Sequence, residues 1–199
     1  MSQVTHDTEK LRQFFKKINR LMLILWRLGF GPYFGMWPKG WGRIMILQHT
    51  GRKSGTKYHT PVNFTIFNGD VYCVASLGTS ADWYQNVIAH PEVEIWLPDG
   101  WWRGTAEDAS EHPELLSILR RVMVDSGFAT PFFEGFNPKT ISDEALSQRA
   151  QGYCLVRIRR TEARTGPHGP GDLAWIWPIL TFLLLPLALR KRSHRRLGG

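Results

Sequence analysis

Cysteine is scarce in this 199-residue sequence, which has only Cys73 and Cys154. Both sit in apolar, strand-like runs, so a disulfide framework is excluded and they read as small buried hydrophobes of a reducing compartment. The seven histidines are scattered, and no Cys/His cluster has zinc-ligand spacing, so no metal site is expected. The G-x-x-x-x-G-K-[ST] spacing of a Walker loop is missing. Internal repeats and low-complexity tracts are absent too. No secretory signal is expected, because charges interrupt the first apolar run and no small-residue cleavage site follows it. Acidic residues are outnumbered, 17 against 25 basic ones, for a net charge of +8. That excess calls for an anionic partner: nucleic acid, anionic lipid or an acidic cofactor. No nucleic-acid partner is expected, since no RNA-recognition or helix-turn-helix pattern is present and the basic stretches adjoin apolar ones.

Nine tryptophans are present, gathered in the two terminal extensions and around Trp83–Trp102. Amphipathic rings of this kind favour interfaces, with lipid or around a flat ligand. Residues 1–43 hold a basic amphipathic helix, Leu11–Leu28, ended by Gly29, Gly31 and Pro32, with Phe14, Ile18, Leu21, Met22 and Leu25 on one face and Arg20 and Arg27 on the other. With Tyr33, Phe34, Trp37 and Trp41 following, it reads either as a membrane-surface anchor or as a helix packed on its own domain.

Residues 44–160 alternate short strands with turns. Ile44–Gln48 and Tyr58–Phe67 flank the turn Gly51-Arg52-Lys53-Ser54-Gly55, and Pro61 marks an edge, a bulge or a turn toward a ligand. Asn68-Gly69 is a hairpin signal, with Val71–Ala75 as the return strand. The loop Ser76–Ser80 precedes a short helix, Trp83–Ala89, capped by Asp82. Strands Glu92–Leu97 and Trp101–Ala106 follow, then a helix capped by Ser110, an aromatic loop over Phe128–Lys139, a helix near Asp143–Ala150 and a last strand, Tyr153–Arg159. Hairpin spacing and strand number give an α+β, mainly β class: a small antiparallel barrel with a few peripheral helices. Residues 161–172 form a Pro/Gly linker. Within 173–199, the apolar stretch Leu173–Leu189 reaches about 25 Å as a helix, short of a hydrocarbon core of about 30 Å. Pro178 and Pro186 kink it and basic residues flank both ends, which fits a segment lying in the cytoplasmic leaflet better than one crossing it.

The basic turn can hold an anion, because its glycines free backbone N–H groups beside Arg52, Lys53 and two hydroxyls. In order, HTGRKSG-x-x-x-x-TPV, the N-G hairpin, VASLG and DWYQNVIAHPEVEI resemble the deazaflavin (F420)-dependent nitroreductase family, over about Asn19–Asp108. The resemblance implies a split β-barrel, flavin-reductase-like, that binds coenzyme F420. It places Arg52, Lys53 and Ser54 at the phosphate, and Tyr58, His59, Thr60, Pro61, Val62 and Asn63 on the strand along the cofactor. Val74, Ala75, Ser76 and Leu77 fall on the loop over the ring, and Asp82, Trp83, Tyr84, Gln85 and Asn86 on the helix closing the site. Where the family commonly has a second basic residue this chain has Tyr58, and where it has a lysine this chain has Leu77-Gly78-Thr79-Ser80.

By this resemblance the expected function is hydride delivery from reduced F420 to a lipophilic electron-poor acceptor, a quinone, an enone or a nitro compound. Ser76 and Tyr84 are the expected catalytic groups, and Phe132, Phe133 and Phe136 the expected substrate pocket. The expected setting is the cytoplasmic face of an anionic membrane, with a homodimer left open. Two other readings stand beside it: a non-catalytic barrel that binds a lipid, and an FMN-dependent reductase on the same fold.

Overall fold

The computed structural model describes residues 17–33 and 42–185. The expected helical residues 11–16, the aromatic segment at 34–41 and the apolar positions 186–189 lie outside them. Six antiparallel strands, β1 (Ile44–Thr50), β2 (Lys57–Phe67), β3 (Asp70–Ala75), β4 (Glu92–Leu97), β5 (Gly100–Asp108) and β6 (Cys154–Arg164), close in the order β1-β2-β3-β6-β5-β4. The Asn68-Gly69 turn has both residues at positive φ, 50° and 88°, as a two-residue hairpin of this hand requires. Alternate residues of each strand fill the bore. Met45, Leu47, Phe64, Ile95, Val156 and Ile158 are each at most 2% exposed there. A bore filled by side chains leaves no room inside it for an acyl chain.

Helices α1 (Asp82–Ala89), α2 (Leu115–Asp125) and α3 (Asp143–Arg149) are among those that pack on this barrel. The first sends Tyr84 and Val87 among the bore residues. The second lays Ile118, Leu119 and Val122 on Tyr72 and Leu155 outside the sheet. Its C-terminal end is tied to the barrel where Arg43 N–H donates to Asp125 O (2.7 Å) and Thr65 Oγ1 donates to Asp125 Oδ2 (2.6 Å).

Two expected caps are corrected. Asp82 does not cap α1, whose N-cap is Ala81; it lies in the first turn and pairs with Arg52. Ser110 does not cap α2, because its hydroxyl donates to Asp108 Oδ1 (2.6 Å) and accepts from Leu155 N–H (3.1 Å), tying β5 to β6 instead. Near the N-terminus the helix over 17–25 runs into a widened turn, Trp26–Phe30, broken at Gly29 with φ 89°. Its packed face is Met22, Leu23 and Trp26, while Leu21, expected inside, is 57% exposed.

Candidate active site

Strand β2 is paired on one side over its first part and on the other over its last. Lys57–Asn63 pair with β1, whereas pairing with β3 begins at Phe64. Phe64 N–H donates to Arg43 O on the β1 side (3.2 Å). By the two-residue period of a strand, the peptide groups of Lys57, His59, Pro61 and Asn63 therefore face the other way, toward the gap. Proline belongs at such an edge because it has no N–H to leave unpaired. The open edge runs roughly 20 Å. It begins at the basic turn and ends where Asn63 Nδ2 reaches Ser126 O (3.5 Å), at the root of the Phe128–Glu134 segment.

At the first end, Gly51 N–H donates to Thr56 O and Gly55 N–H to Gly51 O, both at 2.8 Å. The Tyr58 ring lies across the turn, and a Cβ on Gly51 would stand 2.6 Å from it, so the close approach requires glycine. Tyr58 also stacks on His49, with ring centroids 5.9 Å apart, and its hydroxyl is 3.3 Å from Ser54 Oγ. Lys53 and Lys57 are exposed and make no ion pair among the described residues. The Lys53 and Ser54 amides likewise find no acceptor among those residues. Two free ammonium groups and two free amides at one turn match the donor set a phosphate needs.

Arg52 has other partners. Its guanidinium donates to Asn86 Oδ1 (3.0 Å) and to Asp82 Oδ1 (3.2 Å), and its amide donates to Asn86 Oδ1 (3.1 Å). Asn86 Nδ2 is 3.3 Å from His49 Nδ1, and His49 Nε2 is 3.0 Å from Thr60 Oγ1. Because the Asn86 amide nitrogen is a donor, His49 Nδ1 accepts and its proton sits on Nε2, donating to Thr60. The result is a one-way chain from Arg52 through Asn86 and His49 to Thr60. It joins the turn, α1 and β2.

Burial, reinforced by the nearby His59, pushes the His49 pKa from 6.5 down to about 4. The unfolded chain therefore binds a proton between pH 6.5 and about 4 that the folded chain refuses. Stability is full above that window and falls as the pH drops through it, by roughly 3 kcal/mol at its lower end. Urea unfolding of wild type and His49→Gln, measured at pH 7 and pH 4.5, is expected to show a smaller loss in the variant. Equal losses would remove His49 as the titrating group.

The remaining expected site residues divide. His59 is half-buried, with Nε2 2.9 Å from Gln48 Oε1 and its ring 5.2 Å from Trp96. Desolvation lowers its pKa, the Glu94 carboxylate opposes that, and Lys57 and Arg27 add to it. Val62 and Ala75 belong to the bore, and Val74 packs toward α2. Ser76 is exposed and Leu77 is 73% exposed beside the gap. Their loop is fixed by Gly78, which no larger residue can replace because a Cβ there would lie 2.0 Å from Gly152 O. Gln85 Nε2 donates to Thr79 O (2.5 Å), pinning the same loop to α1. Trp83 is half-buried against the core.

Tyr84 is corrected as a catalytic group. It is 7% exposed, its hydroxyl donates to Asp108 Oδ2 (2.8 Å), and burial followed by that bond raises its pKa far above the ordinary tyrosine value. Phe136 lies under the Arg149 guanidinium (5.1 Å), Phe132 is 73% exposed, and the Phe133 side chain is outside the described residues. A shallow cleft of about 340 Å³ beside them is lined by Val124, Gly127, Phe128, Pro131 and Asn137. Two groups that were missed are His49 and Lys57. The first had only its place at an inward strand position as a signal, and the second stood next to a residue already singled out.

A six-stranded split barrel with a strand edge open beside a lysine-bearing turn is a fold of the flavin-reductase-like class. Residues 31–129, about half of the chain, match the family described as F420H(2)-dependent quinone reductase. The chain belongs to this family and is an F420-dependent oxidoreductase. Among solved structures it is similar to a conserved hypothetical protein from Mycobacterium tuberculosis, at 20% identity over 66% of this chain and 79% of that one (TM-score 0.45). It is also similar to an F420-H2 dependent reductase, at 22% identity over 59% of this chain and 94% of that one (TM-score 0.40). No curated protein matches.

Proposed function

We propose that this reductase passes hydride from reduced F420 to a lipophilic quinone-type acceptor at a membrane surface, with the cofactor along the open edge of β2. The observation that carries the reading is the pair of uncommitted lysines, Lys53 and Lys57, at one end of an unpaired strand edge. Their ammonium groups and the Lys53 and Ser54 amides would hold the phosphate. The edge peptides of His59 and Asn63 offer hydrogen bonds to a flat ring system, and Ser76 and Leu77 cover it from across the gap. When bound, reduced F420 supplies the hydride; the protein orients it and excludes water. Tyr84 is committed to Asp108 and His59 is neutral at pH 7, so the proton that completes reduction comes from solvent. The apolar cleft at Phe128 and Pro131, at the Asn63 end, is where an acceptor ring would rest.

Titration of the purified full chain with F420 and with FMN tests this directly. Saturable binding of F420, with FMN at least tenfold weaker, followed by oxidation of reduced F420 on adding a quinone, is expected. Absence of F420 binding, or equal binding of FMN, removes the cofactor assignment. Turnover with nitro compounds but not quinones removes the acceptor assignment alone.

A further inference from the structure

The two terminal segments, far apart in sequence, are one unit in the fold. Arg27 grips Asp172 with two nitrogens, Nε to Oδ1 at 2.9 Å and Nη2 to Oδ2 at 2.7 Å. Gly171 N–H donates to Trp26 O (3.0 Å), Leu173 N–H to Arg27 O (2.9 Å), and Trp177 Nε1 to Leu28 O (2.8 Å). Phe30 meets Trp177 edge to face at 5.5 Å. The joint is seated on the barrel by Trp26, fully buried beside Ile46, Trp96 and Trp101.

Beyond that seat the unit is apolar and uncovered. Leu21 is 57% exposed and Tyr33 59% on the first segment, and Trp175 61% and Phe182 81% on the second. The helix over 176–185 has no polar face, because Phe182, Leu183, Leu184 and Leu185 are consecutive, point about 100° apart and are all exposed. A protein groove or a second copy of the chain would cover one side of such a helix; hydrocarbon covers all of them. Its ten residues reach about 15 Å, half of a hydrocarbon core of about 30 Å, and no helix among the described residues is long and apolar enough to cross a membrane. Lys17 and Arg20 are exposed on the first segment, and Arg190, Lys191, Arg192, Arg195 and Arg196 follow the helix in the sequence.

We infer that the two segments form a single composite platform that docks on an anionic lipid bilayer, with 176–185 entering one leaflet and the Arg27–Asp172 pair fixing its angle to the barrel. This rests on the reading that the enzyme works at a membrane, and it adds how the enzyme is held there. Trp96, on which the platform is seated, touches His59 of the open β2 edge, so docking brings the cofactor edge to the bilayer side.

The test is co-sedimentation of the full chain with vesicles of phosphatidylcholine plus phosphatidylglycerol, and of phosphatidylcholine alone. Wild type is expected to bind the mixed vesicles and to prefer them clearly. Phe182→Glu should abolish binding, Arg27→Ala or Asp172→Ala should weaken it about tenfold, and the swap Arg27→Asp with Asp172→Arg should restore most of the loss. F420 affinity is measured on every protein and should not change, which separates loss of docking from loss of fold. Undiminished vesicle binding by Arg27→Ala overturns the proposal, leaving two independent anchors. No binding, binding without preference for the anionic lipid, or concentration-dependent self-association in its place overturns it as well. F420 failing to bind a wild type that does sediment with vesicles would sink the cofactor reading and leave the platform standing.

Discussion

Replacing Lys53 and Lys57 together by alanine is expected to raise the F420 dissociation constant about a hundredfold, roughly tenfold for each lysine, while the melting temperature stays close to that of wild type. Both ammonium groups are exposed and without an ion pair among the described residues, so the folded protein loses nothing by their removal. The ligand loses two charge-assisted contacts. Salt supplies an independent readout: raising ionic strength should weaken wild-type binding markedly and the double variant little, because the screened charges are gone. Arg52→Ala should behave differently, since Arg52 is committed to Asn86 and Asp82. Its loss should lower stability along with affinity. A double lysine variant that binds F420 as tightly as wild type would move the phosphate away from this turn and take the proposed cofactor orientation with it.

The division of labour within the turn could not be read from the sequence. Arg52 and Lys53 are adjacent cations in a glycine-flanked turn, and composition treats them alike. They are separated by where α1 packs. Its Asn86, one helical turn beyond Asp82, reaches back to the Arg52 amide and guanidinium and leaves Lys53 outside. Local signals served well where the controlling interaction is itself local. The Asn68-Gly69 turn, the strands on either side of the basic turn, the burial of Cys73 and Cys154 and the edge character of Pro61 all depend on neighbours in sequence.

Non-local pairings were hidden. Nothing in a single sequence says that β6 inserts between β3 and β5, or that β4 turns back to β1. The continuation of β6 to Arg164 was hidden for a related reason. The added residues are mostly charged, and Arg160, Glu162 and Arg164 find partners across the sheet in Asp99, Arg103 and Glu94, so a solvated strand read as a tail. Tyr84 was misread because a tyrosine beside a ring-binding loop looks like a proton donor. The register of α1 turns it instead into the bore, where Asp108 accepts its proton. The joining of the termini depends on Arg27 meeting Asp172 across 145 residues, a contact with no sequence signature.

Removing Asn86 should have the largest effect on the fold of any single change at the site. Asn86→Ala deletes one acceptor used by both the Arg52 amide and guanidinium and one donor used by His49 Nδ1, all in a place 5% exposed. Stranding buried partners costs about 1–3 kcal/mol for each group left without a bond, so a loss of roughly 3–4 kcal/mol is expected after some rehydration at Arg52. Denaturant unfolding reads it, and a loss below about 1 kcal/mol would mean the chain from Arg52 to Thr60 is not a stabilising unit. Asn86→Asp separates charge from shape. The carboxylate still accepts from Arg52, but it has no proton to give His49, so Nδ1 must itself carry a proton, as a neutral Nδ1–H tautomer with Nε2 accepting from Thr60 or as an imidazolium. The His49 pKa should then rise from about 4 toward or above 6.5, because an adjacent anion favours the charged ring. Nitrogen-detected NMR of the imidazole would show both ring nitrogens protonated near pH 6. A His49 that stays neutral there in Asn86→Asp, with its single proton moved to Nδ1, would mean that desolvation outweighs the adjacent anion in setting its pKa.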